Sequence, residues 1–460
     1  MAPDTATVEP PTRHPPGLYL LFTTEMWERM SFYGMRALLV LYMTDKVHGF
    51  GWDKKSALSV YGWYTGLVYL TPVIGGILAD RYLGQRRSVT IGGALMMIGH
   101  FLMAVPGVSA FYAALAFLIA GNGMFKPNIS TMVGGLYKPG DPRRDGAFTI
   151  FYMGINLGAG LSSFVCGTLG EKVGWDWGFA SAGVGMGLGL VVFLALAQRL
   201  LGDIGKAPTA VEKVKGDMAS ADGYRDNATF QEEEKPLTTE EKDRVKVILI
   251  LAVFVVFFWA AFEQAGGLMN LYTDEKVNRF VFGWQIPTTW FQSVNAIFII
   301  LLAPVFAGLW TRLGKDGKDP SIPAKMGGGL LMVSLGFVFM LGASLQSQAS
   351  GKAALLWVVA AYLFHTIGEL CLSPVGLSMV TKLAPKRYAS LLMGTWFLAN
   401  AVANKIAGAI GGYADELGEF KLFAVIVAFT AVAGVVLVAL AGPLRRMMHG
   451  ADAIQTAPAH

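Results

Sequence analysis

The chain is expected to fold as an all-α membrane protein, with twelve transmembrane helices in two six-helix bundles and no extra helix pair between the halves. Three observations lead there. Of its 460 residues 54% are hydrophobic and only 15% charged, against about 25% charged in soluble domains. Apolar runs of the roughly 20 residues that a span requires recur along its length. One long hydrophilic interruption, from about Gly202 to Arg244, divides those runs six and six.

The spans before the interruption begin near Leu18, Ser56, Val89, Phe111, Phe148 and Phe179. Those after it begin near Val247, Pro287, Met326, Ala353, Ser390 and Leu422. The expected layout is an N-terminal tail (1–17), a first bundle (18–201), a linker (202–245), a second bundle (246–443) and a C-terminal tail (444–460). The residues before Leu18 are polar and rich in proline and lack a charged, then apolar, cleavable leader, so the first span is itself the expected targeting element. Bases follow alternate spans: Arg81, Arg86 and Arg87 after the second, Lys138, Arg143 and Arg144 after the fourth, Lys382, Lys386 and Arg387 after the tenth. By the positive-inside rule the linker and both termini are cytoplasmic. The net charge of +5 is spread over helix ends and forms no patch for nucleic acid. The linker carries Glu232, Glu233, Glu234, Glu240 and Glu241 and no apolar run, so it hides no further span.

Span one is anomalous. It carries Glu25, Glu28, Arg29 and Arg36 inside an apolar stretch, where each charge costs about 2.5 to 3.5 kcal/mol on insertion scales. At about 100° per residue, Glu25, Glu28, Arg29, Phe32, Tyr33 and Arg36 share one face, and Met26, Trp27, Met30, Gly34 and Met35 lie largely on the other. Such a helix turns its charges to a polar cavity, part of a transport pathway. Further charges at depth are Lys126 in span four, beside Asn122 and Ser130, Glu263 in span seven and Glu369 in span ten. Lys126 could pair with a carboxylate or an anionic ligand group. Tyr33, Tyr69, Asn156, Asn295, Trp396 and Asn400 have the character of a pocket for a small polar molecule with an apolar portion, although asparagines also bond neighbouring helices. His365 is read as a hydrogen-bond donor to Glu369 and His100 as structural. Cys166 and Cys371 suggest neither disulfide nor metal site. Without a nucleophile elbow, Walker loop or His-Glu-x-x-His, neither an enzyme nor an ATP-driven pump is expected, and no cofactor is called for. Energy would come from an ion gradient, for which buried carboxylates are suited.

The six-and-six division is the layout of the major facilitator superfamily, whose halves are parallel repeats. Internal echoes agree: Pro127 with Met132-Val133 in span four matches Pro374 with Met379-Val380 in span ten, and Asn156 in span five sits near the position of Asn400 in span eleven.

Within that superfamily the chain resembles the proton-dependent oligopeptide transporters. The segments are Glu25-Met-Trp-Glu28-Arg29-Met30-Ser31-Phe32-Tyr33, the run from Asp141 to Gly158, the Gly-Asn-Gly-x-Phe-Lys-Pro-Asn segment around Lys126, Phe262-Glu263-Gln264, and Gly368-Glu369 through Ser373-Pro374 to Gly376. The resemblance implies a monomer in the bacterial inner membrane that imports di- and tripeptides with protons by alternating access. Arg29, Arg36 and Lys126 would receive the peptide carboxylate. Glu369 would receive the amino group, helped by Asn156, Asn295 and Asn400, and Tyr33, Tyr69 and Trp396 would line side-chain pockets. Glu25 and Glu28 would be proton-linked partners of Arg29 and Lys126. Arg36 with Glu263, and Lys126 with Glu369, would be the pairs of opposite gates. Phe32 stands where the family has a tyrosine, and the angular reading aims it into the cavity. Span two has no histidine, so coupling should rest on carboxylates. A proton-coupled carrier of another small solute, or a non-transporting sensor on the same fold, are the alternatives.

Overall fold

The computed structural model describes residues 13–138, 141, 143–208 and 236–450. Most of the expected linker and parts of both tails, including Glu232, Glu233 and Glu234, lie outside the described residues. The chain is 83% helical, as backbone that must satisfy its own polar groups in lipid requires. The first half contains α1 (Pro16–Thr44), α2 (Lys54–Leu78), α3 (Gln85–Met103), α4 (Val108–Gly135), α5 (Arg144–Ser162) and α6 (Trp175–Leu201). The second contains α7 (Thr239–Phe262), α8 (Trp290–Lys315), α9 (Ile322–Ser350), α10 (Leu355–Leu383), α11 (Ala389–Gly411) and α12 (Glu419–Ala439). Among the described residues nine helices are long and apolar enough to cross a membrane. The other three long helices are more polar: α1 bears four charges, α3 opens on Gln85-Arg86-Arg87, and α11 holds Asn400, Asn404 and Lys405.

The boundaries differ from the sequence reading where a cap overrides hydropathy. The helix expected from Val247 starts at Thr239, because Thr238 accepts from the Glu241 N–H at 3.2 Å and Glu241 accepts from the Thr238 N–H at 2.9 Å. This capping box starts the helix inside the polar segment. Ala353 and Ala354, expected inside span ten, instead form a two-residue strand paired with Val277 and Asn278.

Each half has its own apolar core. Since lipid is as apolar as leucine, helix pairs hold by close packing, and small residues allow it. A methyl at Gly158 of α5 would stand 2.2 Å from the Met26 carbonyl of α1, and one at Gly154 would stand 2.8 Å from the Phe22 ring. Pro127 in α4 cannot donate to the Gly123 carbonyl four residues back, and Gly75 of α2 packs directly onto that carbonyl.

The halves meet at the end remote from the linker, called here the far end. Asn270 donates to the Ala37 carbonyl at 2.9 Å, Lys54 pairs with Glu275 at 2.8 Å, and Lys55 with Glu416 at 2.8 Å. Beside them α2 and α11 touch backbone to backbone, a methyl on Gly62 lying 3.1 Å from the Gly408 Cα.

Candidate functional site

A cavity of about 310 Å³ lies between the halves. Its lining holds all but one of the expected site residues: Glu25, Arg29, Tyr33 and Arg36 from α1, Tyr69 from α2, Lys126 from α4, Asn156 from α5, Asn295 from α8, Glu369 from α10, Trp396 and Asn400 from α11, and Glu263 just past α7. Glu28 is absent from the lining. It is fully buried behind Arg29, whose Nε donates to its carboxylate, and Asn122 Nδ2 lies 3.4 Å from its other oxygen.

Helical periodicity puts the charged stripe of α1 on one face, yet the cavity sees only part of that arc. Phe32, read from the sequence as facing the cavity, is 5% exposed and is not part of the wall. The Arg29 guanidinium lies 5.3 Å above its ring, so the missing hydroxyl is missing from a packing contact. Tyr33 does reach the cavity, with Arg29 and Arg36 each 5.9 Å from its ring centre, a spacing favourable to cations over an aromatic face.

Two ion-pair groups occupy the site. Arg29 Nε lies 3.1 Å from Glu25 and also pairs with Glu28. Arg36 pairs with Glu263 across the halves and donates through Nε to the Tyr61 hydroxyl at 2.6 Å. This second contact depends on a break in α7. The chain tightens into a 3-10 turn at Glu263–Gly266 before resuming as a helix at Leu268–Lys276, and a methyl at Gly266 would overlap the Tyr61 hydroxyl.

Lys126 departs from expectation. It forms no ion pair with Glu25, Glu28 or Glu369 among the described residues, and its ammonium sits 4.6 Å over the Tyr69 ring. Glu369, in the opposite wall, has no cation either, and accepts from Asn295 Nδ2 at 3.0 Å. Of the two expected gating pairs, then, Arg36–Glu263 is formed and Lys126–Glu369 is not. Asn156 and Asn400 each donate to the carbonyl four residues back, Tyr152 and Trp396, at 3.0 Å.

His365 does not bond Glu369. Both its nitrogens are buried without a partner, and its ring is turned toward α9, against Gly336 and 4.8 Å from the Phe337 ring centre. Only the glycine at 336 makes room for it, a partner that the α10 sequence does not reveal. His100 Nδ1 is likewise buried and unpartnered. Cys166 and Cys371 are free. The sequence reading did not single out Tyr152, Trp259, Phe262, Gln292 and Tyr362 in the wall; nothing distinguishes them from the packing aromatics and amides of any span.

Gly158 supports this site from behind, since its added methyl would also lie 2.9 Å from the Arg29 Cβ. Gly158→Ala is therefore expected to push α1 from α5, at a cost of about 1 to 3 kcal/mol for overpacking. The check is a lowered melting temperature of purified protein together with reduced ligand binding.

The model of the POT family matches residues 86–221 and 210–421. The chain is 39% identical to "Uncharacterized transporter YclF" of Bacillus subtilis, over 95% of this chain and 96% of that one. It is 38% identical to "Peptide transporter YePEPT" of Yersinia enterocolitica, over 96% and 97%, and 33% identical to a "Di-/tripeptide transporter" of Lactococcus lactis, over 94% and 96%. Among solved structures, a peptide transporter POT in complex with sulfate superposes with TM-score 0.85 at 40% identity, covering 95% of this chain and 96% of that chain. A mutant of a peptide transporter POT in complex with alafosfalin gives 0.86 at 40% identity and the same coverage. A POT family transporter in complex with 5-aminolevulinic acid gives 0.83 at 32%, covering 94% and 97%.

Proposed function

The chain belongs to the POT family, is a transporter rather than an enzyme, and on that footing we propose that it is a proton-coupled symporter importing di- and tripeptides by alternating access. The observation that carries the reading is the pair of opposite charges left without ionic partners on facing walls. The Lys126 ammonium is on the first half and the Glu369 carboxylate on the second, while Arg29 and Arg36 are engaged by glutamates. A zwitterionic peptide presents the complementary pair, with its carboxylate toward Lys126, Arg29 and Arg36 and its ammonium toward Glu369 and Asn295. Asn156 and Asn400 supply amides for the backbone between, and Tyr33, Tyr69 and Trp396 supply aromatic walls for side chains.

Proton coupling follows from charge balance. Glu25 and Glu28 share the single guanidinium of Arg29, and an uncompensated buried charge is costly. One proton, or the Lys126 ammonium swung from Tyr69, restores neutrality. A peptide carboxylate that occupies Lys126 leaves the proton as the remaining remedy, so binding and protonation favour one another. Glu263, holding Arg36 across the seam, ties this balance to the far-end gate. With that pair formed and Lys126–Glu369 open, the cavity belongs to a state facing the linker side. In this reading twelve spans place both termini in the cytoplasm of a bacterial inner membrane, and the monomer is the working unit.

The test is accumulation of labelled dialanine in proteoliposomes under an imposed potential and pH gradient. No accumulation above competitor-blocked controls would sink the reading and favour a sensor or a carrier of another solute. Glu369→Gln is expected to raise the half-saturation concentration of dialanine about tenfold, the equivalent of about 1.4 kcal/mol, and to alter that of its N-acetylated analogue far less. Equal changes for both ligands would remove Glu369 from the ammonium site.

A further inference from the structure

We propose that Glu171 is a proton-operated latch of the far-end gate. This rests on the alternating-access reading and adds to it a group outside the ligand cavity. Past α5 the chain continues through a wide turn at Ser163–Gly167 and a short helix at Thr168–Lys172, which brings Glu171 across to the start of α8 in the other half. Its two carboxylate oxygens accept from the Thr288 N–H at 2.7 Å, the Thr289 N–H at 2.8 Å and the Thr289 hydroxyl at 2.7 Å. These are the unsatisfied donors that precede a helix, where the helix dipole also favours an anion. One half of the molecule therefore caps a helix of the other.

The surrounding contacts are built for this junction. A methyl at Gly167 would overlap the Thr289 hydroxyl, so glycine is what permits the approach. Trp290 donates to the Thr168 hydroxyl at 2.9 Å. Arg279, 3.7 Å from Glu171, donates to Asp274 and to the Ile286 carbonyl, each at 2.8 Å, and the Thr288 hydroxyl donates to Asp274 at 2.8 Å. Thr288 and Thr289 are fully buried.

A second cavity of about 330 Å³ opens beside the carboxylate. The charged groups that face Glu171 in it are Asp45 from the end of α1, Lys172 from its own segment, Asp274 and Glu275 from the helix after α7, and Arg279. Three acids stand against two bases around the Glu171 carboxylate, and the cavity gives water a route to it. When a proton from the far side binds a Glu171 oxygen, that oxygen becomes a donor facing an N–H donor. At least one of the three bonds across the seam is then lost, and the halves are freed to part at that end. Acid on the outside thus favours opening toward the outside, where peptide and proton are both taken up.

The test uses full-length protein in lipid nanodiscs with spin labels at Val47→Cys and Phe282→Cys, exposed far-end positions in opposite halves. In the wild type, lowering pH is expected to add a longer component to the distance distribution. Glu171→Gln, whose amide can satisfy only one of the two backbone donors, is expected to show that component already at neutral pH and to lose the pH response. Glu171→Asp keeps a carboxylate and is expected to keep the response. A wild type that responds to acid, with Glu171→Gln responding identically, would overturn the latch and leave alternating access standing. A single distance in every condition, with or without peptide, would overturn both.

Discussion

Lys126→Gln is expected to abolish proton-driven accumulation of dialanine. The ammonium is held over the Tyr69 ring and forms no ion pair among the described residues, so its charge is available to a ligand in a way that the charges of Arg29 and Arg36 are not. Removing one member of a buried charge pair costs about 2 to 5 kcal/mol, which at about 1.4 kcal/mol per decade is a loss of at least about 30-fold in apparent affinity. The larger loss is in coupling. Without Lys126, the surplus negative charge of Glu25 and Glu28 beside Arg29 has only a proton to neutralise it, whether or not peptide is present, and binding no longer determines when that proton arrives or leaves. Exchange of peptide across the membrane without a gradient is expected to suffer less than uphill uptake. The two assays run side by side on one reconstituted preparation provide the measurement, and an equal loss in both would confine Lys126 to binding.

Glu263→Gln is expected to be strongly destabilising. It strands Arg36, which is 8% exposed, and breaking a buried ion pair from one side costs about 3 to 5 kcal/mol. The Tyr61 hydroxyl, 2.6 Å from Arg36 Nε, and the Tyr33 ring remain, but neither carries a countercharge. Reversing the pair, with Arg36→Glu and Glu263→Arg together, should recover part of the loss, since a tyrosine hydroxyl can donate to a glutamate as readily as it accepts from an arginine. Melting temperatures of the two single variants and the double variant in detergent check this. A double variant no more stable than the worse single would show that packing around Gly266, rather than charge, holds the contact.

Much of this was legible in the chain because membranes leave few options. Recurrent apolar runs and a polar break announced a helical membrane chain, nine of whose helices among the described residues are long and apolar enough to cross a bilayer, and four charges in one apolar stretch pointed to the cavity wall before any contact was known. What eluded the sequence was long-range or angular. A 100° step places Glu28 and Phe32 with Arg29, but the arginine side chain pairs with the first and lies over the ring of the second, and neither lines the cavity. His365 turns from Glu369 because Gly336 on α9 leaves a space there. Glu171 accepts from the Thr288 N–H 117 residues along the chain, and no local pattern reports such a partner. The start of α7 lay inside the polar segment because a capping box outweighs hydropathy over two turns.

The uneven division of charge between the cavity walls has one more consequence. The first half contributes Arg29, Arg36 and Lys126 against Glu25 in the wall and Glu28 buried behind Arg29, a surplus of one positive charge, and the second contributes Glu263 and Glu369 with no lysine or arginine in the wall. The space between is thus a small capacitor with a standing field directed from α1 and α4 toward α7 and α10. A molecule with separated end charges experiences a torque in that field before it touches any side chain. On the proposed reading its head and tail would be sorted by dipole moment before Lys126 and Glu369 engage them, and whatever hangs from its middle would be left to the aromatic surfaces to tolerate.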